Sequence, residues 1–235
     1  MPSVTSSCQG STRNFLLTVA VEHDGGYGAF VERKRVQLRR EEILSATVRQ
    51  IQGHGIAALR IADVAAVLGV SPALVIYHFQ TKENLVAEAF RHAAEHDLLK
   101  VSRLVRGSGS VPSRLMATLG WYAPTGRARG WLLWIDGWAT AMRDQTLAEV
   151  ISDLDEQWRQ AIADLISEGV AAGDFTVEDP QEAAGRITAL LDGLAVRTLV
   201  HGGGLSRPTM LEWLTRQTAW ELGIAPEALT RATAQ

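Results

Sequence analysis

The chain has 235 residues, 46% of them hydrophobic and 21% charged, a formal net charge of −3 and one cysteine, Cys8. That length and apolar content suffice for one large domain or two modest ones with a proper core. A lone cysteine excludes an intramolecular disulfide, and no apolar run approaches the ~20 residues of a membrane helix, so a reducing cytoplasm is the expected compartment. The negative total excludes a uniformly basic nucleic-acid binder, but the charge is unevenly spread. Residues 31–106 carry 12 basic and 8 acidic side chains, whereas residues 107–235 carry 10 basic and 16 acidic. Such an asymmetry is expected when one part faces phosphates and the other does not.

Residues 1–32 are rich in Ser, Thr and Gly and hold one short apolar run, FLLTVAV, which lacks the charged start and cleavage pattern of a signal peptide. Composition predicts a disordered or loosely packed arm. An arm that touches DNA is the alternative, with Arg13 the one basic residue before Arg33. Arg33, Lys34, Arg35, Arg39 and Arg40 stand just before and inside a first helix that includes EEILSATVRQIQGHG. The cluster is placed to touch a DNA backbone or minor groove, or simply to solvate the helix start.

The stretch from Ile61 to Leu85, IADVAAVLGVSPALVIYHFQTKENL, is the most informative. Val64, Ala65, Val67 and Leu68 are apolar at helical spacing, and Gly69 suits the left-handed residue that ends a helix. Ser71 is a good N-cap and Pro72 a good first residue, since proline's missing amide hydrogen would be unpaired there. In the short helix that follows, Leu74 or Val75 with Phe79 plugs a small core, leaving Pro72, Ala73, Ile76 and Tyr77 on the outer face. Thr81 then caps a long helix with Leu85, Val86, Ala89, Phe90, Ala93 and Leu98 at steps of three and four. This is the layout of a helix-turn-helix, whose second helix enters the DNA major groove. Tyr77, His78 and Lys82 at its end are types that donate to phosphates.

Beyond it, GSGSVP at residues 107–112 is a flexible break. Helices are predicted over residues 113–122, 129–143, 146–168, 180–201 and 206–222, with a tail helix from Pro226. Asp179 with Pro180 and Ser206 with Pro208 give start signals, and Gly202, Gly203 and Gly204 a stop. Strand signals are absent, so the fold class is all-α.

GVS followed by YHF and TKENL at this spacing resembles the TetR family of bacterial transcriptional repressors, from near Arg39 to near Phe90. WLLWIDGWATAMRD, LDEQWRQAIADLISEGVAAGDF and DPQEAAGRITALLDGLAVRTLV are similar to the C-terminal domain of that family's BetI-like branch. Three departures stand out. Arg60 occupies the usual Thr or Ser cap, weakening it by about 1 kcal/mol, Leu74 and Ile76 make the recognition face apolar, and Asp136 with Gly137 replaces the branch's frequent Glu and Phe. The resemblance implies an arm at 1–32, a helix-turn-helix domain at 33–90, a helical ligand-binding and dimerisation domain at 91–223 and a tail at 224–235. It also implies a homodimer that binds a palindromic operator in double-stranded DNA and is released by a small-molecule inducer. Activation of the promoter, or response to a partner protein, is the alternative.

On the DNA side, Arg39, Ser71, Tyr77, His78 and Lys82 are expected at phosphates, and Pro72, Ala73 and Ile76 at base edges or thymine methyls. For the dimer, Ile187, Leu190, Leu191, Leu194 and Leu199 form one stripe and Trp213, Leu214, Gln217 and Trp220 another; two from each subunit would make a four-helix bundle. Packing within one subunit is the alternative for part of both. Trp121, Tyr122, Trp131, Trp134, Asp136, Trp138, Met142 and Trp158 could line a pocket for an aromatic, apolar or cationic effector, or could be ordinary packing residues. His92 and His96 share a helix face with Asp97 nearby, but no second pair supports a metal, and no nucleophile–base pattern supports catalysis. No cofactor, metal or enzymatic activity is expected.

Overall fold

The computed structural model describes residues 25–124, 129–201 and 205–233, and the described residues contain helices and no strand. Among the described residues ten helices follow one another: α1 (Gly25–His54), α2 (Ile61–Leu68), α3 (Pro72–Phe79), α4 (Lys82–Val105), α5 (Val111–Tyr122), α6 (Arg129–Ala141), α7 (Gln145–Ala172), α8 (Pro180–Leu199), α9 (Arg207–Glu221) and α10 (Pro226–Thr233). No single helix among them is long and apolar enough to cross a membrane. The chain divides into two units, residues 1–37 and 38–235. Of the first, only the helical stretch from Gly25 onward is described. Cys8 and most of the expected arm lie outside the described residues, as do Gly202, Gly203 and Gly204.

Helix ends follow local chemistry. The side chains of Ser71, Thr81, Ser110, Asp144, Asp179 and Ser206 each accept a backbone N–H of the helix they precede, satisfying amides that would otherwise lack partners. Arg60 gives α2 no side-chain cap. Where the helices differ from expectation, the reasons are local. Helix α1 extends well before residue 40, to Gly25; the Arg, Lys, Gln and Leu run of residues 33–40 contains good helix formers and no breaker. Helix α7 continues to Ala172 because Gly173, at φ 78°, takes the left-handed turn, while Gly169 stays helical and buried under Phe175.

Two apolar cores organise residues 38–235. One joins Ile43, Val64, Val75, Phe79, Leu85 and Phe90 of α1–α4 to Leu133 of α6 and Leu147, Val150 and Ile151 of α7. The other gathers α5, the second half of α7, α8, α9 and Leu229 of α10. The helix-turn-helix therefore shares its core with α6 and the start of α7. Helix α4 runs unbroken through residue 90 from the first core to Val101 in the second.

Candidate nucleic-acid interface and ligand cavity

Helix α3 has two sides. Val75 and Phe79 point into the core, at 0% and 2% exposure, while Pro72, Ala73, Ile76 and Tyr77 are exposed, Ile76 by 48% and Tyr77 by 74%. Burying positions i and i+4 leaves an outer strip one helical turn long. Arg40 holds the helix from behind. Its guanidinium lies 4.6 Å from the Phe79 ring centroid, donates to the His78 carbonyl at 3.1 Å and pairs with Glu88 of α4 at 2.9 Å. Arg40 is thus a structural clamp, whereas Arg39 stays at the surface, paired with Glu42 at 2.7 Å. His78 is half-buried; loss of water first, then the charges of Arg40 and Arg39, hold its imidazole below the usual pKa. At neutral pH it offers a phosphate a neutral N–H. Ser71 Oγ accepts from Leu74 N at 3.3 Å, which leaves its hydroxyl proton for an outside acceptor. Between α3 and α4, Gln80 has φ 62° and Thr81 N bonds to Phe79 O at 2.7 Å. This three-residue turn brings Thr81 to cap α4 and sets Lys82 at its start.

The expected aromatic residues largely converge. Trp121 and Tyr122 (α5), Trp134 and Trp138 (α6) and Trp158 (α7) line one narrow cavity that is partly open to solvent. Trp131 lines an adjoining recess with Trp121, Tyr122 and Trp134. The rings support one another: Tyr122 stacks on Trp158 at 4.1 Å between centroids, and Trp131 donates its Nε1–H to the Tyr122 carbonyl at 2.8 Å.

Three carboxylates that the sequence reading did not select also line the cavity: Asp97 of α4, Asp155 of α7 and Asp192 of α8. Burial, reinforced by the nearby Asp155, pushes Asp192 up to about 7. Burial raises Asp97 too, against the pull of His96, and burial with the three carboxylates around it raises the Tyr122 hydroxyl. Signals for two of the three existed. Asp192 interrupts an otherwise apolar run in α8, where an acid is costly unless it has work to do, and Asp155 precedes Trp158 by three residues, on the same helix face.

Two expected lining residues lie elsewhere. Met142, just past α6, is 79% exposed and away from the cavity. Asp136 faces the helix-turn-helix instead: its Oδ2 accepts the Ile56 N–H at 2.6 Å, in the turn between α1 and α2. The spacing explains this. Trp134 and Trp138 are four apart and share a face of α6, whereas Asp136, midway between them, points away. On the same helix Gly137 meets Phe90 of α4 so closely that a Cβ would come within 2.5 Å of its ring. The Trp134 ring sets its edge on Phe90, 6.2 Å between centroids.

Burial also divides the expected dimer residues. Ile187, Leu191 and Leu194 are 0–2% exposed, inside the chain's own core. Leu190, Trp213, Gln217 and Trp220 line an open groove on α8 and α9, with Trp213 45% and Trp220 75% exposed. An amphipathic helix buries one stripe against its own chain, which is the fate of the α8 stripe. His92, considered with His96 and Asp97 as a metal face, has Nε2 2.9 Å from Ser45 Oγ of α1.

Residues 43–89 match the family model of bacterial regulatory proteins, tetR family. Residues 112–223 match that of the BetI-type transcriptional repressor, C-terminal. The HTH-type transcriptional regulator BetI of Escherichia coli (strain SE11) is 26% identical over 177 residues, 73% of this chain and 87% of that protein. Among solved structures, a protein from Saccharomonospora viridis described as a transcriptional regulator, in complex with choline, is 28% identical. It covers 76% of this chain and 94% of its own, with a TM-score of 0.69. A protein from Rhodococcus sp. described as a TetR-family transcriptional regulator is also 28% identical. It covers 80% and 98%, with a TM-score of 0.66.

Proposed function

The chain belongs to the TetR family of transcriptional regulators, with a BetI-like C-terminal domain, and we propose that it is a repressor that grips a palindromic operator as a homodimer and is released by a small organic cation. It is a regulator and not an enzyme. The observation that carries the ligand class is the cavity itself, where five aromatic residues and three carboxylates face one space. Ring faces attract a cation, and the carboxylates supply the opposite charge without a competing base. The choline held by the S. viridis relative supports a quaternary ammonium head as the group recognised.

In this reading residues 33–90 form the DNA-binding head, with Pro72, Ala73 and Ile76 against bases and Arg39, Ser71, Tyr77, His78 and Lys82 at phosphates. Residues 91–223 bind the effector and the partner subunit. The exposed tryptophans of α9, with Leu190 and Gln217, pair with their copies about a twofold axis, setting two recognition helices about 34 Å apart or at a related spacing. Helix α6 is the coupling element. Trp134 and Trp138 are cavity wall, Asp136 holds the turn before α2, and Gly137 lies against Phe90. A cation that shifts the two tryptophans must therefore disturb the Asp136–Ile56 hydrogen bond or the α4 contact. Release requires the cation to prefer the DNA-incompetent state, each 1.4 kcal/mol being about tenfold in operator affinity.

Binding of the full chain to palindromic duplexes, measured at several salt concentrations together with sedimentation, tests the DNA side. A dimer is expected, with log affinity falling linearly in log salt. A protein that stays monomeric and ignores every palindrome at low ionic strength would contradict it.

A further inference from the structure

Among the side chains that line the cavity, Trp158 carries a buried polar atom with no partner. Trp158 is 7% exposed, lines the cavity beside Leu154 and Asp155, and its indole Nε1 has no hydrogen-bond partner. The neighbouring indole shows the contrast: Trp131 Nε1 is satisfied by the Tyr122 carbonyl at 2.8 Å. Nor does the Tyr122 ring absorb the Trp158 N–H. The two rings stack at 4.1 Å with only 30° between their planes, and an indole N–H lies in its own ring plane, so it runs alongside the Tyr122 face rather than into it. A buried donor with no acceptor is costly, and such atoms in native structures commonly mark an absent ligand or water.

A quaternary ammonium head cannot supply what Trp158 lacks, because it has no lone pair. An effector that satisfies this donor does so with an oxygen elsewhere on the same molecule. A carboxylate oxygen would be repelled by Asp97, Asp155 and Asp192, so the oxygen is uncharged, a hydroxyl or carbonyl. We infer that Trp158 is a specificity-determining residue, whose Nε1–H selects cations bearing a neutral oxygen over purely alkyl ammonium ions of the same shape. This rests on the cation reading above and adds the second recognition point to it.

The test is calorimetric titration of the full chain with choline and with n-propyltrimethylammonium, in which a methyl replaces the hydroxyl. Choline is expected to bind about five- to tenfold more tightly, and Trp158→Phe, which keeps a ring but removes the donor, should bring the two affinities together. In the wild-type chain the Trp158 indole N–H resonance should move on adding choline and stay nearly still with the alkyl cation, a readout that does not depend on the variant folding. Equal affinities in the wild type, or a preference that survives Trp158→Phe, would overturn this inference while leaving the cation reading intact. Binding of neither cation would overturn both.

Discussion

The helix-turn-helix and the cavity are built on opposite principles. The head is assembled by neighbours in sequence: Gly69 turns the chain, Ser71 and Thr81 cap the helices that follow them, and Val75 with Phe79 anchors α3. The cavity takes side chains from α4, α5, α6, α7 and α8, and no two of its walls are linked by a local rule. The first kind of site tolerates change on its outer face, because the fold is held from behind. The second couples affinity, charge and packing, because each lining residue also supports its neighbours. Helix α6 belongs to both, and there the difference can be tested most severely.

The largest effect is expected from Gly137→Val. Its Cβ would fall 2.5 Å from the Phe90 ring, and overpacking of this kind costs about 1–3 kcal/mol, several degrees of melting temperature for a chain of this size. A thermal melt unchanged from wild type would mean that α6 and α4 are not locked together.

Next comes the pH dependence of cation binding. Burial, with Asp155 of α7 adding to it, pushes Asp192 up to about 7, and Asp97 of α4 and Tyr122 of α5 line the same cavity. A cation favours the carboxylate, so choline should bind roughly tenfold more weakly at pH 6 than at pH 8. Asp192→Asn should flatten the profile. Stability of the empty protein runs the other way. A carboxyl whose folded pKa is raised stabilises the fold fully below its unfolded value near 3.8, and that contribution is lost as pH rises through about 7. A melting temperature that rose over this window because of Asp192 would contradict the burial of that residue.

On the head, Tyr77→Ala should weaken binding to every operator variant alike by about 1 kcal/mol, with the melt unchanged because Tyr77 is exposed. Smallest of all, Ala73→Ser should leave mean affinity nearly constant and reorder the preferred sequences. Competition binding to a small set of operator variants separates the two outcomes; loss of stability in either variant would mean that α3 is held through its outer face.

The same contrast explains how much was legible in the sequence. The all-helical fold and the α2–α3 turn follow from glycine, proline and cap chemistry that acts over a few residues, so Pro72 could be fixed as a helix start. Membership of the cavity depends on helix rotation. Trp134 and Trp138 were readable as one face, but Asp136, lying between them in sequence, was assigned to the wrong side, and Met142 fell beyond the end of α6. Asp155 and Asp192 were passed over, and Asp97 was weighed only beside His92 and His96, because an acid on an amphipathic helix looks solvated until the helices opposite are known. For α8 the stripe was visible, but whether Ile187, Leu191 and Leu194 meet another subunit or α7 is settled only by tertiary packing.

The central claim is that one small cation and one operator compete through α6. Titrating choline into a preformed complex of the full chain with its palindromic operator, followed by fluorescence anisotropy, tests it most directly. Release of the DNA is expected, together with its loss when Asp136→Ala removes the oxygen that accepts the Ile56 N–H. Choline binding to the complex without any change in operator affinity would contradict it.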